Sequence, residues 1–131
     1  MPITRISLRR GKPVAYRQAI MTGLYEAMHE TFNVPENDYF MLVSEHDAAD
    51  FWCSPSYVVG PRSDDLVIIQ LTVNNTRSLA QKKALYRRIA EKLTADPGLR
   101  PEDILVNLVE TTIDNWSMGH GLAQFVRDEA A

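Results

Sequence analysis

Val34-Pro35-Glu36-Asn37-Asp38, running into the buried-strand candidate Tyr-Phe-Met-Leu-Val at 39–43 and then Ser44-Glu45, has a counterpart late in the chain. There Leu99-Arg100-Pro101-Glu102-Asp103 leads into the apolar residues 104–109, and Leu108-Val109-Glu110 answers Val43-Ser44-Glu45. Pro35 and Pro101 stand 66 residues apart, and a shift by that amount also superposes what precedes them. Before the first segment, Ala19, Ile20, Leu24, Ala27, Met28 and Phe32 recur at three- and four-residue steps. That spacing predicts a helix over 14–32 with Arg17, Glu26 and Glu30 turned to solvent. Before the second, Leu85, Ile89 and Leu93 predict a helix over 79–95 with Lys82, Lys83, Arg87 and Arg88 outside. A strand candidate precedes each helix, at 3–8 and at 66–73, the latter dense in β-branched residues. Asn33-Val34-Pro35 closes the first helix, since a residue before proline leaves the helical region. Asp96-Pro97-Gly98 closes the second.

The chain thus reads as two βαβ units, 2–45 and 66–110, joined by a loop over 46–65 and followed by a tail over 111–131, in one domain. Strands joined by such crossovers run parallel. Two units side by side predict an α+β fold, a four-stranded mixed sheet with two helices on one face. Apolar strand residues occur at both parities, so the uncovered face must also be buried, against another copy or a long loop. This predicts a homo-oligomer formed through the open face.

The 131 residues are 45% hydrophobic and 24% charged, ordinary for one globular domain. A net charge of −3 argues against nucleic acid as a partner. The lone Cys53 excludes an intrachain disulfide, and His29, His46 and His120 lack metal-ligand spacing. No apolar run is long enough for a membrane span, and Arg5, Arg9, Arg10 and Lys12 interrupt any signal-peptide core. A soluble, cytoplasmic protein with no membrane partner is expected. In the loop, Phe51, Trp52 and Tyr57 read either as a lid or as a contact between subunits.

Pro2 is the first chemical signal. Initiator Met is usually removed ahead of so small a residue, and removal would leave a secondary amine on a strand. An α-amino group titrates near 8, and burial lowers it further, into the range useful for proton transfer.

Further motifs accompany it. They are Arg62-Ser63-Asp64-Asp65, Thr76-Arg77-Ser78 with Gln81-Lys82, and Asn115-Trp116-Ser117-Met118-Gly119-His120-Gly121 followed by Ala123-Gln124. Together with Pro2 and the double βαβ pattern, they resemble the tautomerase superfamily, and within it the malonate semialdehyde decarboxylase family. The resemblance implies that Pro2 is the proton-transfer amine, Arg77 the holder of a substrate carboxylate and Asp38 the activating acid. It makes Trp116, Met118 and Phe125 an apolar wall. Asn75, a further substrate-binding position by this resemblance, stands where the best-known decarboxylases carry an arginine, and Met118 where the family has an aromatic. The same resemblance implies a cofactor-independent enzyme acting on a small oxo acid, with no metal, assembled as a homotrimer. Two reactions are open: decarboxylation of a 3-oxo acid such as malonate semialdehyde, and keto–enol tautomerisation. The second class of reading is a non-catalytic α+β oligomeric binding or regulatory module, which a retained Met1 would favour.

Overall fold

A computed structural model describes residues 2–126; Met1, whose removal the amine chemistry requires, and the tail residues 127–131 lie outside them. Strand β1 (Ile3–Arg9) is followed by helix α1 (Val14–Phe32) and strand β2 (Met41–His46). Strand β3 (Val67–Asn74), helix α2 (Leu79–Ala95) and strand β4 (Ile104–Thr111) repeat the order. The sheet order is β2-β1-β3-β4, with β1/β2 and β3/β4 parallel and β1/β3 antiparallel. The α+β mixed sheet read from the sequence is the one observed.

Alternation in the central strands sets the layers. Thr4, Ile6 and Leu8 of β1 and Val67, Ile69, Leu71 and Val73 of β3 are buried under the helices. The helices answer with Ile20, Leu24, Ala27 and Met28 from α1 and Leu85, Ile89 and Leu93 from α2, forming one core. Gly23 lets the helices approach closely, because a Cβ there would lie 2.9 Å from Leu93 Cδ2. On the uncovered face the register aligns Arg5 with Gln70 and Gln70 with Asn107. The centre of that face is thus a polar row, with apolar Leu42, Leu105 and Val109 exposed around it.

Both helix spans match the sequence reading to the residue. Asn33, in the left-handed conformation (φ 55°), ends α1, and Val34 N–H returns to Met28 O at 3.4 Å. Ser78 opens α2 with a capping box: its hydroxyl accepts from Gln81 N–H at 3.2 Å, and Gln81 Oε1 accepts from Ser78 N–H at 3.0 Å. The strands differ more. β2 begins at Met41, leaving Tyr39 and Phe40 ahead of the ladder, and it runs on through His46.

The charges expected to face only solvent are partly engaged. Glu30 binds Arg88 at 2.5 Å and Glu26 binds Lys92 at 2.7 Å, linking the helices. Arg17 reaches Glu45 and Lys82 reaches Glu110, each at 2.8 Å. The repeat is also closer to 65 residues than 66, since Val14 and Leu79, Glu45 and Glu110, and Asp38 and Asp103 are all 65 apart. Phe51 is buried and stacks with His46, whereas Trp52 is fully exposed. Both belong to the His46 end of β2, roughly 20 Å along the strands from Pro2, so within one chain they form no lid over it.

Candidate active site

The strand directions bring four chain segments to one end of the sheet. They are the starts of β1 and β2 and the ends of β3 and β4. Pro2 is there, buried, one residue ahead of β1 and between the lines of β2 and β3. Thr4 N–H donates to Phe40 O at 2.9 Å, which ties the start of β1 to the segment that carries Asp38.

Asp38 closes a tight turn, its N–H donating to Pro35 O at 3.2 Å across Asn37, which adopts φ 68°. Asparagine tolerates this left-handed conformation better than most residues. Tyr25 of α1 steadies the turn: its hydroxyl accepts from Asn37 N–H at 3.2 Å, and its ring meets Tyr39 edge-on, centroids 5.5 Å apart. Asp38 is half-buried, with one carboxylate oxygen closed off from solvent.

Arg77 is half-buried directly before the Ser78 cap. Its Nη2 donates to Phe32 O at 2.9 Å, at the end of α1, and its guanidinium lies 4.9 Å over the Phe32 ring. Burial pushes the guanidinium below its ordinary value, and the Asp38 charge acts in the opposite direction. These two sequence candidates are therefore close enough to feel one another. A helix end leaves carbonyls without intrahelical partners, so Arg77 also serves as a cap for α1.

Trp116 is 8% exposed, and its Nε1 donates to Asn74 Oδ1 at 2.8 Å and to Thr111 Oγ1 at 2.9 Å. These bonds fold the chain after β4 back over the sheet end. Trp116 and Met118 line a cavity of about 960 Å³ together with Ile3, Tyr39, Met41 and Leu42. Of the other residues expected at the site, Pro2, Asp38, Arg77, Asn75 and Phe125, none is among its lining residues. Asn75 is exposed and donates its N–H to Thr111 O at 2.8 Å, and Phe125 is 38% exposed. Among the described residues no cluster of His, Cys, Asp and Glu is arranged to hold a metal ion.

A sequence-family profile described as "Tautomerase enzyme" matches residues 38–119, more than half of the chain and most of this sheet end. The chain belongs to the tautomerase family. It is 36% identical to the protein named "Probable tautomerase YusQ" of Bacillus subtilis (strain 168), over 96% of this chain and 99% of that one. With "Probable tautomerase YrdN" of the same strain it is 29% identical over 96% and 97%. Among solved structures, a malonate semialdehyde decarboxylase studied for its decarboxylase and hydratase activities superposes with a TM-score of 0.89. The identity is 29%, and 94% of this chain and 95% of that one are covered. A fused 4-OT protein, described as a symmetric trimer, shares the fold at a TM-score of 0.76, with 18% identity and coverage of 92% and 94%.

In this member of the tautomerase family, several residues around the sheet end escape the sequence reading. Asn74, adjacent to the expected Asn75, is the residue that holds Trp116. Met21 and Tyr25 face the cavity from α1. Their spacing of four residues is a usable signal, a second apolar stripe beside the core stripe.

Proposed function

We propose that this tautomerase-family enzyme acts on a small 3-oxo acid through the amine of Pro2, freed by removal of Met1, and that decarboxylation is its reaction. One observation carries the reading: Pro2 is buried at the sheet end between the turn of Asp38 and the strand that leads to Arg77. The high structural similarity to a malonate semialdehyde decarboxylase supports the same choice.

The carboxylate of the substrate sits on Arg77, whose planar fork suits it, and the 3-oxo oxygen accepts a hydrogen bond from protonated Pro2. The bond between the carboxylate carbon and C2 breaks. Its electron pair passes into an enolate, and carbon dioxide leaves. The prolinium charge stabilises the enolate oxygen in a site largely shielded from water. C2 then takes a proton, so malonate semialdehyde would give acetaldehyde and carbon dioxide. Asp38 positions the amine, and Trp116 and Met118 wall off solvent.

Tautomerisation by the same residues needs a neutral Pro2 that removes the α-proton and returns it elsewhere. Intact mass followed by NMR titration of the Pro2 nitrogen separates the two. Met1 absent with an amine pKa of about 9, above the ordinary α-amino range, is the expected result. A pKa near or below about 7 would shift the reading to tautomerisation, and a retained Met1 would overturn it in favour of a non-catalytic module. We further propose that the chain works as a homotrimer closed through its open sheet face, as the trimeric 4-OT relative supports. Sedimentation of the full chain as a monomer would refute that.

A further inference from the structure

The turns that precede β2 and β4 are alike in backbone and unlike in what holds them. Asp38 N–H donates to Pro35 O at 3.2 Å, and at the equivalent positions Asp103 N–H donates to Arg100 O at 2.9 Å. In the first turn Asn37 adopts the left-handed conformation (φ 68°), whereas its equivalent, Glu102, does not. The first turn is also held from helix α1 at two points. His29 Nδ1 lies 2.7 Å from Val34 O, and because a carbonyl only accepts, this nitrogen carries the proton. One helical turn earlier on the same face, the Tyr25 hydroxyl accepts from Asn37 N–H at 3.2 Å. In α2 the equivalent residues are Ala90 and Thr94. Ala90 has no polar side-chain atom, and the Thr94 hydroxyl donates to Ala90 O within its own helix.

The frame of the repeat thus closes this turn in the second unit with no clamp from the helix, so the clamp in the first unit has a further task. A left-handed residue other than glycine costs conformational energy and persists where its surroundings hold it. The Tyr25 hydroxyl holds Asn37 at its N–H, one residue before the carboxylate whose charge acts on Arg77. The Tyr25 ring is itself set edge-on against Tyr39, so the hydroxyl is presented from a packed side chain. Arg77 is tied to Phe32 O at the end of the same helix. Helix α1 therefore anchors both charges, Arg77 through Phe32 and Asp38 through Tyr25 and Asn37.

We propose that Tyr25 is a positioning residue, whose hydroxyl aims the Asp38 carboxylate relative to Arg77 by fixing Asn37 in the left-handed conformation. Its effect on rate rests on the proposed role of Asp38, and its effect on geometry does not.

Tyr25→Phe tests this in the full chain, since it removes the hydroxyl and keeps the ring against Tyr39. With malonate semialdehyde as probe and carbon dioxide release as readout, kcat should fall about tenfold with KM unchanged, the pattern of a misaimed group. The same substitution made in Asp38→Asn should add no further loss, because Tyr25 acts through that carboxylate. An equal loss in both backgrounds overturns the inference, and so does a lowered unfolding midpoint with kcat unchanged. The geometry has a second readout that needs no turnover. In NMR spectra followed through an acid titration, the Arg77 Nε–H resonance should step as Asp38 changes charge, and Asp38→Asn should abolish that step. Tyr25→Phe should shrink it by about half, because the coupling weakens as the charges move apart. A step absent from the unsubstituted protein, or unchanged in Tyr25→Phe, overturns the positioning role. A reduced step without turnover of any oxo acid by the unsubstituted protein supports the positioning of Asp38 and refutes the proposed reaction.

Discussion

The two βαβ units share a frame and differ in what one aspartate does. Each pairs its strands with a register offset of 37 residues, Thr4 opposite Met41 and Val67 opposite Ile104. Each joins a cation in the first turn of its helix to a glutamate near the end of its second strand, Arg17 to Glu45 and Lys82 to Glu110. Each sets an aspartate just ahead of that strand, Asp38 and Asp103. In the second unit the chain arrives from the loop, and Asp103 is fully buried against it. Asp103 accepts Ser63 N–H at 2.7 Å and Ser63 Oγ–H at 2.5 Å. In the first unit Asp38 is half-buried at the sheet end where β1 begins and lies in the field of Arg77. The same position of the repeat is a structural lock in the second unit and, under the proposed function, a proton-transfer position in the first.

The largest test of this contrast exchanges the two carboxylates for apolar groups. Asp38→Ala should lower kcat by about 10²–10³-fold with little change in unfolding midpoint, as for loss of a group that supports proton transfer. Asp103→Ala should instead remove about 3 kcal/mol of stability, read by urea denaturation, because two donors lose a charged acceptor. Equal effects on rate and stability in both variants would break the comparison. Next in size, Arg77→Ala should reduce kcat/KM by about 10–100-fold, the scale of one charge-assisted pair, with Arg77→Lys recovering only part. If Arg77 serves only as the cap on Phe32 O, the loss would appear in stability and leave KM unchanged.

Smaller effects sharpen the picture. Ser78→Ala deletes the capping box of α2 and should cost about 1 kcal/mol, with a rise in KM because the cap fixes the backbone next to Arg77. Glu45→Gln should cost more than Glu110→Gln, since Glu45 takes both Arg10 and Arg17 and is better shielded, though neither should exceed about 1 kcal/mol. Smallest is the helix seam. Arg88, then Lys92, holds the Glu30 carboxyl below its ordinary value, so that contribution is present above the ordinary glutamate range and fades as pH falls from there through the lowered value. Thermal melts of Glu30→Gln across that range should lose this slope.

The helices are legible in the sequence because their limits are local. Asn33 before Val34-Pro35 and the Ser78/Gln81 box act within a few residues of themselves. The doubled topology is legible because the repeat carries its own punctuation at Pro35 and Pro101. Tyr39 and Phe40 read as strand because no local pattern separates an apolar side chain in a buried strand from one in a cavity wall. The partners of Glu30 and Lys82 lie 58 and 28 residues away, outside any single-helix reading. Pro2, Asp38, Arg77 and Trp116 are legible through their motifs, and the structure gathers them at one end of the sheet. Of the residues expected at the site, Trp116 and Met118 line the cavity. The wall from Met21 to Leu42 emerges only when α1 is laid against an edge strand.

The environments of the two tryptophans have a practical consequence. Trp52 is fully exposed in the single chain at one end of the sheet, whereas Trp116 is buried at the other, its indole N–H doubly bonded. An aqueous collisional quencher should therefore silence Trp52 and spare Trp116. The surviving, blue-shifted emission then becomes a built-in optical reporter, so that occupancy of the cavity that Trp116 lines can be followed in real time without any label.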